Sequence, residues 1–445
     1  MNKRAHRLSD WQMILLGYVI LIVFGSLLLA LPISSRNGWT SYINALFTSA
    51  SATCVTGLVV YDTFTHWSLF GQIVILFLIQ VGGIGIMTII SLFTVALKGK
   101  VGLYENLVIM HASGNSRLSG SQRLIKRIVL GTLLFESAGA ILLSFRFCFQ
   151  FGFWRGVWFS VFHSVSAFCN AGFDLMGINA GFSSFTAYSG DPLVSLTICL
   201  LIVVGGLGFL VWNEMLTVGF KFKKYQTHTQ LVLSATLIFV VVPAALFLLF
   251  EKNNLFADVG FGEALLSSLF ASITPRTAGF NTIDVASMSE SSIALTMILM
   301  FIGGNTGSTA GGIKVTTFLI ILFGVFAAYR NRTDVQIGKK RMPVYLLLQS
   351  LCIVMTYIFA IALATIIILA IEPFSFLEVG FEAISALGTV GLSFGITPMI
   401  TGGTKIILVL LMFLGKIGVI TLLYSLISHK KKPDIKRPMD SIQIG

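Results

Sequence analysis

Long apolar stretches alternate with short polar ones along the whole chain. A membrane-spanning helix requires about 20 consecutive apolar residues. Stretches of this kind cover residues 12–32, 70–97, 125–145, 193–218, 229–250, 292–329, 344–371 and 405–428. The pattern predicts an all-α polytopic membrane protein with eight transmembrane helices. An even number of crossings places both termini on the same side of the membrane.

Between the two members of each pair of spans lies a segment that is too short and too polar to cross. These segments cover roughly residues 40–60, 156–175, 261–282 and 376–396. Each begins with a helical pattern and ends on a glycine followed by a bulky apolar residue, at Gly57, Gly172, Gly279 and Gly391. The glycines are 115, 107 and 112 residues apart in a chain of 445 residues, so one unit is written four times.

The repeated unit predicts four helix–pore loop–helix repeats around a central pseudo-fourfold axis. We assign residues 1–11 to an N-terminal segment, 12–100 to repeat 1, 122–220 to repeat 2, 229–330 to repeat 3, 344–428 to repeat 4 and 429–445 to a C-terminal tail. Non-helical backbone at membrane depth is tolerated only where it is buried in protein or lines water. Four such segments most simply share one water-filled axis. The C-terminal ends of their pore helices carry partial negative charge, which favours a cation pore.

Composition and charge support a membrane location. Only 11% of the residues are charged and 56% are hydrophobic, whereas soluble proteins carry roughly 25% charged residues. The net charge is +12, and 22 of the 30 basic residues fall in clusters at 3–7, 98–127, 221–224, 330–341 and 430–437. Because these clusters separate apolar spans, they fit the positive-inside rule better than binding to nucleic acid. Both termini are therefore expected in the cytoplasm of a multi-pass cell-membrane protein.

Several functional classes find no support in the sequence. The spans contain no H-E-x-x-H or G-x-S-x-G pattern and no clustered Asp and His, so an enzyme is not expected. The five cysteines form no C-x-x-C pair, which argues against a disulfide framework or a metal centre. No Walker A motif and no strand-bound G-x-G-x-x-G occurs, so neither a covalent cofactor nor a nucleotide-binding domain of its own is expected.

The fourfold repeat, the four glycine segments and the run Thr274-Pro275-Arg276-Thr277-Ala278-Gly279-Phe280-Asn281 resemble the Trk/Ktr/HKT superfamily of potassium-translocating proteins over nearly the whole chain. The length, and the absence of a fused soluble domain, are similar to the membrane subunit of a bacterial Ktr system. The resemblance implies potassium uptake across the cytoplasmic membrane by a homodimer in which each chain keeps its own pore. It also implies regulation by a separate cytoplasmic ring of nucleotide-binding subunits.

We expect potassium to bind backbone carbonyls in the four glycine segments, which we call the filter. A potassium filter replaces the hydration shell of the ion by carbonyl oxygens, and glycine supplies torsions that a Cβ resists. The candidate filter residues are Thr56, Gly57, Asn170, Ala171, Gly172, Thr277, Ala278, Gly279, Thr389, Val390 and Gly391. In the family, glycine in all four filters goes with a preference for potassium, and serine in the first goes with sodium permeation. The resemblance therefore implies that potassium is the transported ion.

The sixth span contains a glycine-rich interruption that we interpret as a gate loop below the filter. Five glycines in ten residues cannot hold a straight helix, since each costs about 1 kcal/mol relative to alanine. The candidate gate residues are Gly303, Gly304, Asn305, Thr306, Gly307, Ser308, Thr309, Gly311, Gly312 and Lys314. A static kink is the alternative. A mobile gate is the role of the corresponding loop in the Ktr family.

Lys416, in the eighth span, is the candidate partner of the gate loop. A charge at the bilayer centre costs about 2.5–3.5 kcal/mol on insertion scales and is usually functional. In the family a basic residue at this place contacts the gate loop, although many relatives carry arginine. A snorkelling or purely structural lysine is the alternative. Glu136 in the third span is expected to be structural, and Arg276 is expected to anchor its pore loop.

Two questions stay open at the level of sequence. The basic clusters at 98–127, 330–341 and 430–437 could dock the regulatory ring or attract anionic membrane lipid. A cation symporter coupled to sodium or protons is the alternative function, because a pore and a slow symporter can share this architecture. Inverted repeats with several broken helices are typical of secondary transporters. Here one span is clearly interrupted, and the repeats share one orientation, which favours a channel-like pore.

Overall fold

The computed structural model describes residues 10–85, 121–332, 334–338 and 340–426, and the statements below concern these residues. Helices α1–α16 cover Asp10–Ala30, Tyr42–Thr53, Thr63–His66, Leu69–Ile84, Ser121–Phe151, Phe153–Phe168, Pro192–Leu207, Phe209–Val218, Thr227–Phe250, Phe261–Ile273, Glu290–Phe301, Val315–Tyr329, Val344–Ile371, Phe376–Gly388, Gly402–Ile417 and Val419–Leu426. A short antiparallel hairpin, β1 Val335–Ile337 and β2 Lys340–Met342, pairs Val335 with Met342. The predominantly helical fold agrees with the prediction.

Four helices in the described ranges are long and apolar enough to cross a membrane on their own: α1, α5, α9 and α13. They are the first spans of the four repeats. In repeats 2, 3 and 4 the second span is broken into shorter helices, and one such pair, α7 and α8, forms a fifth candidate span that bends by 92°. The prediction of eight spans therefore differs from the structure in the continuity of the second span of these three repeats. The predicted residues 86–97 and the basic residues 98–120 and 430–437 lie outside the described ranges.

In three of the repeats, the first helix of the second span ends at a glycine with positive φ. Helices α4, α7 and α15 end at Gly85, Gly208 and Gly418, whose φ angles are 92°, 99° and 83°. This left-handed region is open to glycine without the steric cost that a Cβ brings, and it terminates the helical hydrogen-bond ladder. The expectation that only the sixth span is clearly interrupted is therefore wrong. The sixth span differs in degree, because there a whole loop separates α11 from α12.

Four short helices, α2, α6, α10 and α14, lie inside the bundle and end at the filter. We call them the pore helices. At corresponding positions they carry phenylalanines that are at most 1% exposed, Phe47, Phe162, Phe270 and Phe381. These side chains lie nine or ten residues before the filter glycines and anchor the pore helices in the surrounding hydrophobic cores.

In three repeats, a glycine near the middle of the second span brings that span against a pore helix. A Cβ placed on Gly82, Gly205 or Gly415 would lie 2.0, 1.9 or 2.0 Å from the carbonyl oxygens of Thr53, Phe168 and Leu387, respectively. Each of these carbonyls lies four residues before a filter glycine. These glycines therefore allow the second span to pack directly on the end of the pore helix.

The packing predicts that Gly205→Ala destabilises the protein in detergent. A methyl group at this position overlaps the Phe168 carbonyl, and overpacking of this kind typically costs about 1–3 kcal/mol. Gly262→Ala is the matched control, since Gly262 lies in α10 and a Cβ there meets nothing within 4 Å. Thermal unfolding should show a clear loss of stability for the first variant and none for the second. Equal midpoints for Gly205→Ala and the unmodified protein would contradict the packing described here.

Candidate ion-conducting site

The four filter glycines close into a ring in the order of the sequence. A Cβ on Gly57 would lie 2.6 Å from the carbonyl oxygen of Ala171, and one on Gly172 would lie 2.8 Å from that of Ala278. A Cβ on Gly279 would lie 2.5 Å from the Val390 carbonyl oxygen, and one on Gly391 would lie 2.2 Å from that of Thr56. Each repeat thus touches the next, and the fourth touches the first. The predicted filter residues come together around one axis.

Every filter segment has the same backbone conformation. The residue two before each glycine has a positive φ, between 52° and 73°, at Val55, Asn170, Thr277 and Thr389. The glycines themselves have φ angles between 71° and 92°. In each segment two left-handed residues flank one residue with negative φ. This alternation changes the orientation of successive peptide groups in the same way in all four segments. Non-glycine residues adopt this conformation at a cost, and its fourfold recurrence marks a functional constraint.

The amide groups of the filter are bonded back to the pore helices. Thr56, Ala171 and Val390 each donate their N–H to the carbonyl five residues earlier, at distances of 2.8, 2.8 and 2.9 Å. In the third repeat Ala278 donates to the Thr274 carbonyl at 2.9 Å. These N–H groups are therefore satisfied within their own repeat, and the carbonyl oxygens of Thr56, Ala171, Ala278 and Val390 lie beside the filter glycines of neighbouring repeats.

Hydroxyl groups at the ends of the pore helices also bond to the filter segments, and their roles are not among those predicted from the sequence. The Gly57 and Gly391 N–H groups donate to Ser51 Oγ and Ser385 Oγ, both at 3.1 Å. In repeat 2, Ser166 Oγ donates to the Phe173 carbonyl at 2.7 Å, and in repeat 3 Thr274 Oγ1 donates to the carbonyl of Phe280. Ser51, Ser166 and Ser385 all lie six residues before their glycine, a register that the sequence already contains.

A cavity of about 240 Å³ opens beyond the ring, and all four filter glycines line it. We call it the vestibule. Its described lining includes the carboxylates Asp62, Asp174 and Asp284 and contains no lysine or arginine. Clefts lined by one sign of charge concentrate ions of the opposite sign, so the vestibule attracts cations.

The gate loop (Gly303–Lys314) lies on the other side of the ring, against the ends of two pore helices. Thr309 Oγ1 donates to the Phe168 carbonyl at 3.2 Å, at the end of α6. A Cβ on Gly311 would lie 2.0 Å from Thr389 Oγ1, and one on Gly312 would lie 2.9 Å from the Gly388 carbonyl. These contacts involve residues at the start of the filter segments, whereas the vestibule is lined by their ends.

Two lysines hold the second half of the gate loop. Lys416 Nζ donates to the Thr309 carbonyl at 2.7 Å, and Lys314 Nζ donates to the carbonyls of Ala310 and Gly311 at 2.6 and 3.3 Å. Lys416 occupies the position after the packing glycine Gly415, where repeats 1 and 2 carry a second glycine. The structure therefore brings the predicted gate partner into contact with the loop.

The first half of the gate loop is bonded to the fourth span. Asn305 donates from its backbone N and from Nδ2 to the Gly206 carbonyl, at 3.2 and 2.9 Å. Phe209, the first residue of α8, donates its N–H to the Gly307 carbonyl at 2.7 Å. The 92° bend between α7 and α8 thus allows the N-terminus of α8 to donate a hydrogen bond to a carbonyl of the gate loop.

Two further charged residues were singled out from the sequence. Glu136 is 6% exposed, and its carboxylate accepts a hydrogen bond from Gln80 Nε2 at 3.1 Å, which supplies the partner that the sequence could not. Arg276 is 7% exposed, and in the described ranges its guanidinium makes no hydrogen bond or ion pair. Its expected role as a side-chain anchor of the pore loop is therefore not supported.

Comparison with known proteins places this arrangement in a family. Residues 17–434 match the family described as TrkH, cation transport protein. The chain belongs to the TrkH family of cation transport proteins. The crystal structure of the potassium transporter TrkH from Vibrio parahaemolyticus has the same fold, with a TM-score of 0.76 at 19% identity, over 96% of this chain and 87% of that one.

Two TrkH-family relatives are similar over almost their full lengths. The Ktr system potassium uptake protein B of Bacillus subtilis is 37% identical, over 99% of this chain and 97% of its own. The potassium/sodium uptake protein NtpJ of Enterococcus hirae is 38% identical, over 100% and 99% of the two chains. These relatives are named as transport proteins, in agreement with the expectation that the chain is not an enzyme.

We expect Gly57→Ser to lower the selectivity of the filter, because the serine side chain has no room beside the neighbouring segment. A side chain there meets the Ala171 carbonyl of the neighbouring segment, and the positive φ adds backbone strain. Gly38→Ser is the matched control, since Gly38 has a similar φ of 89° but nothing within 4 Å of a Cβ. Discrimination between potassium and sodium should fall about tenfold in the first variant, which corresponds to about 1.4 kcal/mol. It should stay unchanged in the second. Cation competition in a flux assay measures both, and equal discrimination in the two variants would refute the crowding argument.

Proposed function

We propose that this protein mediates potassium uptake across the cytoplasmic membrane through a selective pore. The observation that carries the proposal is the closed ring of four filter glycines, each packed against the filter carbonyl of the next repeat. The names of the Bacillus subtilis relative and of the Vibrio parahaemolyticus structure, both potassium transport proteins, support the choice of ion.

The eight crossings form four helix–pore loop–helix repeats around a pseudo-fourfold axis. Both termini and the hairpin β1–β2 lie in the cytoplasm, since the basic clusters fall there under the positive-inside rule. The vestibule then faces outward, and the carboxylates of Asp62 and Asp284 raise the concentration of cations at the mouth.

An ion entering from the vestibule exchanges its water shell for backbone carbonyls. The carbonyls of Thr56, Ala171, Ala278 and Val390 lie closest to the ring of glycines, and the pore helices add negative partial charge from their C-terminal ends. None of the predicted filter residues has an ionisable side chain. A ring of carboxylates, which is typical of many cation channels, is absent from these positions. Neutral carbonyls suit a monovalent cation that is easily dehydrated.

The gate loop controls access between the filter and the cytoplasm. Its backbone lies against the start of the second and fourth filter segments, so an ion leaving the filter meets it directly. The ammonium groups of Lys416 and Lys314 hold loop carbonyls in this position. A cation also repels these ammonium groups, which makes the closed loop an electrostatic barrier as well as a steric one.

Regulation comes from outside the chain. The name "Ktr system" in the relatives indicates a system of several components, which fits a separate cytoplasmic ring of nucleotide-binding subunits. The exposed basic residues around the hairpin β1–β2, among them Arg332 and Arg341, offer a docking surface. We further propose a homodimer with one pore in each subunit, and contact of the basic segments with anionic lipid.

Rubidium uptake into liposomes that contain the purified chain tests the function. We expect uptake driven by an outward potassium gradient, inhibited strongly by external potassium and weakly by sodium, lithium and choline. Because one relative is named for potassium and sodium, uptake is also measured with and without sodium and across an imposed pH gradient. Uptake that requires either gradient would favour a coupled symporter over a pore. Potassium and choline competing equally would contradict the proposed selectivity.

Weakening the gate should raise flux without changing selectivity. Lys416→Met removes the donor to the Thr309 carbonyl, and we expect about a threefold to tenfold rise in basal rubidium flux, equivalent to about 0.7–1.4 kcal/mol. Deletion of residues 305–312 should raise it further. Lys405→Met is the matched control, because Lys405 lies on the same helix α15 but donates to Asn44 Oδ1 at 2.9 Å, away from the loop. Unchanged flux in both Lys416→Met and the deletion would remove the gate assignment.

A further inference from the structure

Arg276 is a buried cation for which the filter and the gate give no evident use. It lies three residues before Gly279, just after the end of α10, and is 7% exposed. Its Nε is fully buried without an acceptor, and no hydrogen bond or ion pair of the described residues includes its guanidinium. An unmade hydrogen bond at a buried polar group costs about 1–3 kcal/mol, and more for a charged group. A buried guanidinium without acceptors destabilises the fold, so a partner for it is expected.

Asn305, at the start of the gate loop, has a buried acceptor without a donor. It is 0% exposed, and its Nδ2 donates to the Gly206 carbonyl at 2.9 Å and to Thr236 Oγ1 at 3.4 Å. Its Oδ1 is buried and accepts nothing in the described ranges. An amide oxygen has two lone pairs, so Asn305 offers an acceptor where Arg276 offers donors.

Arg276 and the residue that precedes Asn305 line one small cavity. The cavity has a volume of about 10 Å³, and its lining consists of Ile202, Val203, Gly206, Ile273, Arg276 and Gly304. Gly304 directly precedes Asn305, and the Gly206 carbonyl is the acceptor of both Asn305 donors. A cavity of about 10–15 Å³ is large enough for one water molecule when polar groups surround it. Arg276 and the start of the gate loop therefore share a space of the size that one bridging water needs, and Asn305 is bonded to a residue of the same lining.

The dipole of the pore helix is the competing account of Arg276. The C-terminal end of α10 carries partial negative charge, and this stabilises a nearby cation by about 0.3–1 kcal/mol, or up to about 2 kcal/mol when partly buried. That effect compensates part of the charge. It supplies no acceptor for the guanidinium N–H groups and leaves Asn305 Oδ1 without a donor. A link between the two residues satisfies both.

We propose that Arg276 is a positioning residue for the gate, tied through one buried water to Asn305 Oδ1. The link joins the third filter segment to the first half of the gate loop. Lys416 and Lys314 hold the second half, so the loop is fixed at both ends. Displacement of the loop then loosens the third filter segment, which couples the conductive state of the filter to the position of the gate. This inference rests on the proposed gating function.

A double-mutant cycle on basal rubidium flux tests the link in the full-length chain, without a regulatory partner. Asn305→Ala and Arg276→Gln should each raise flux about threefold to tenfold, and the double variant should exceed the larger single effect by less than twofold. Residues that share an interaction are non-additive in this way. Arg276→Lys keeps the charge and should raise flux less than Arg276→Gln. Arg146→Gln, which removes a partly exposed ion pair with Asp191 that has no contact with the gate loop, is the control and should change nothing.

Asn305→Asp supplies a test that does not depend on removing Arg276. The carboxylate keeps an acceptor opposite the guanidinium and adds charge attraction, so basal flux should stay at or below that of the unmodified chain. In the Arg276→Gln background the same aspartate should raise flux instead. Multiplicative effects throughout the cycle, or a rise in flux for Asn305→Asp alone, overturn the link. If deletion of residues 305–312 opens the pore while the cycle is multiplicative, only the link fails. If the deletion leaves flux unchanged, the gate and the link fail together.

Discussion

The structure depends on one constraint, which is that four short backbone segments must pack against one another with each filter glycine beside a carbonyl of the next segment. Each segment meets it by alternating left-handed residues, as at Val55 and Gly57, and by returning its N–H groups to the pore helix behind it. The surrounding elements hold this arrangement. A buried phenylalanine fixes each pore helix, and a glycine in the following span packs on a carbonyl in the last turn of that helix in three repeats. The neighbouring segments then approach so closely that only glycine fits between them.

The gate loop meets the second requirement of a membrane interior, that irregular backbone must find its hydrogen bonds within the protein. Gly304 and Gly307 accept from Val315 and Phe209, and a short parallel bridge joins Ile302 to Ile313. The carbonyls of Thr309, Ala310 and Gly311 accept from lysine ammonium groups. Because the contacts come from several separate elements, the loop has a defined position rather than a range of them. A loop held in this way can act as a switch, since displacement breaks several bonds at once.

Much of this architecture could be predicted from the sequence, because a pattern that occurs four times at similar spacing is far more specific than a single occurrence. A single glycine in a loop is usually only a turn, but Gly57, Gly172, Gly279 and Gly391 stand in register and follow phenylalanines at a similar spacing. The interrupted sixth span and Lys416 were identified because glycines and charge are costly at membrane depth. The breaks at Gly208 and Gly418 were not, since a glycine that packs and a glycine that breaks a helix look alike in a sequence. Ser51 and Asn305 gain their roles from tertiary partners, which no local pattern specifies.

The proposed function requires the four segments to form a single cation site from neutral carbonyls. Anomalous diffraction from crystals of the full chain grown in rubidium locates such a site directly. We expect a peak on the axis of the ring, coordinated by filter carbonyls that include those of Thr56, Ala171, Ala278 and Val390. Sodium in place of rubidium should leave that position without the ordered ion. Rubidium bound only at the vestibule carboxylates, with none within the ring, would rule out a carbonyl site in the filter.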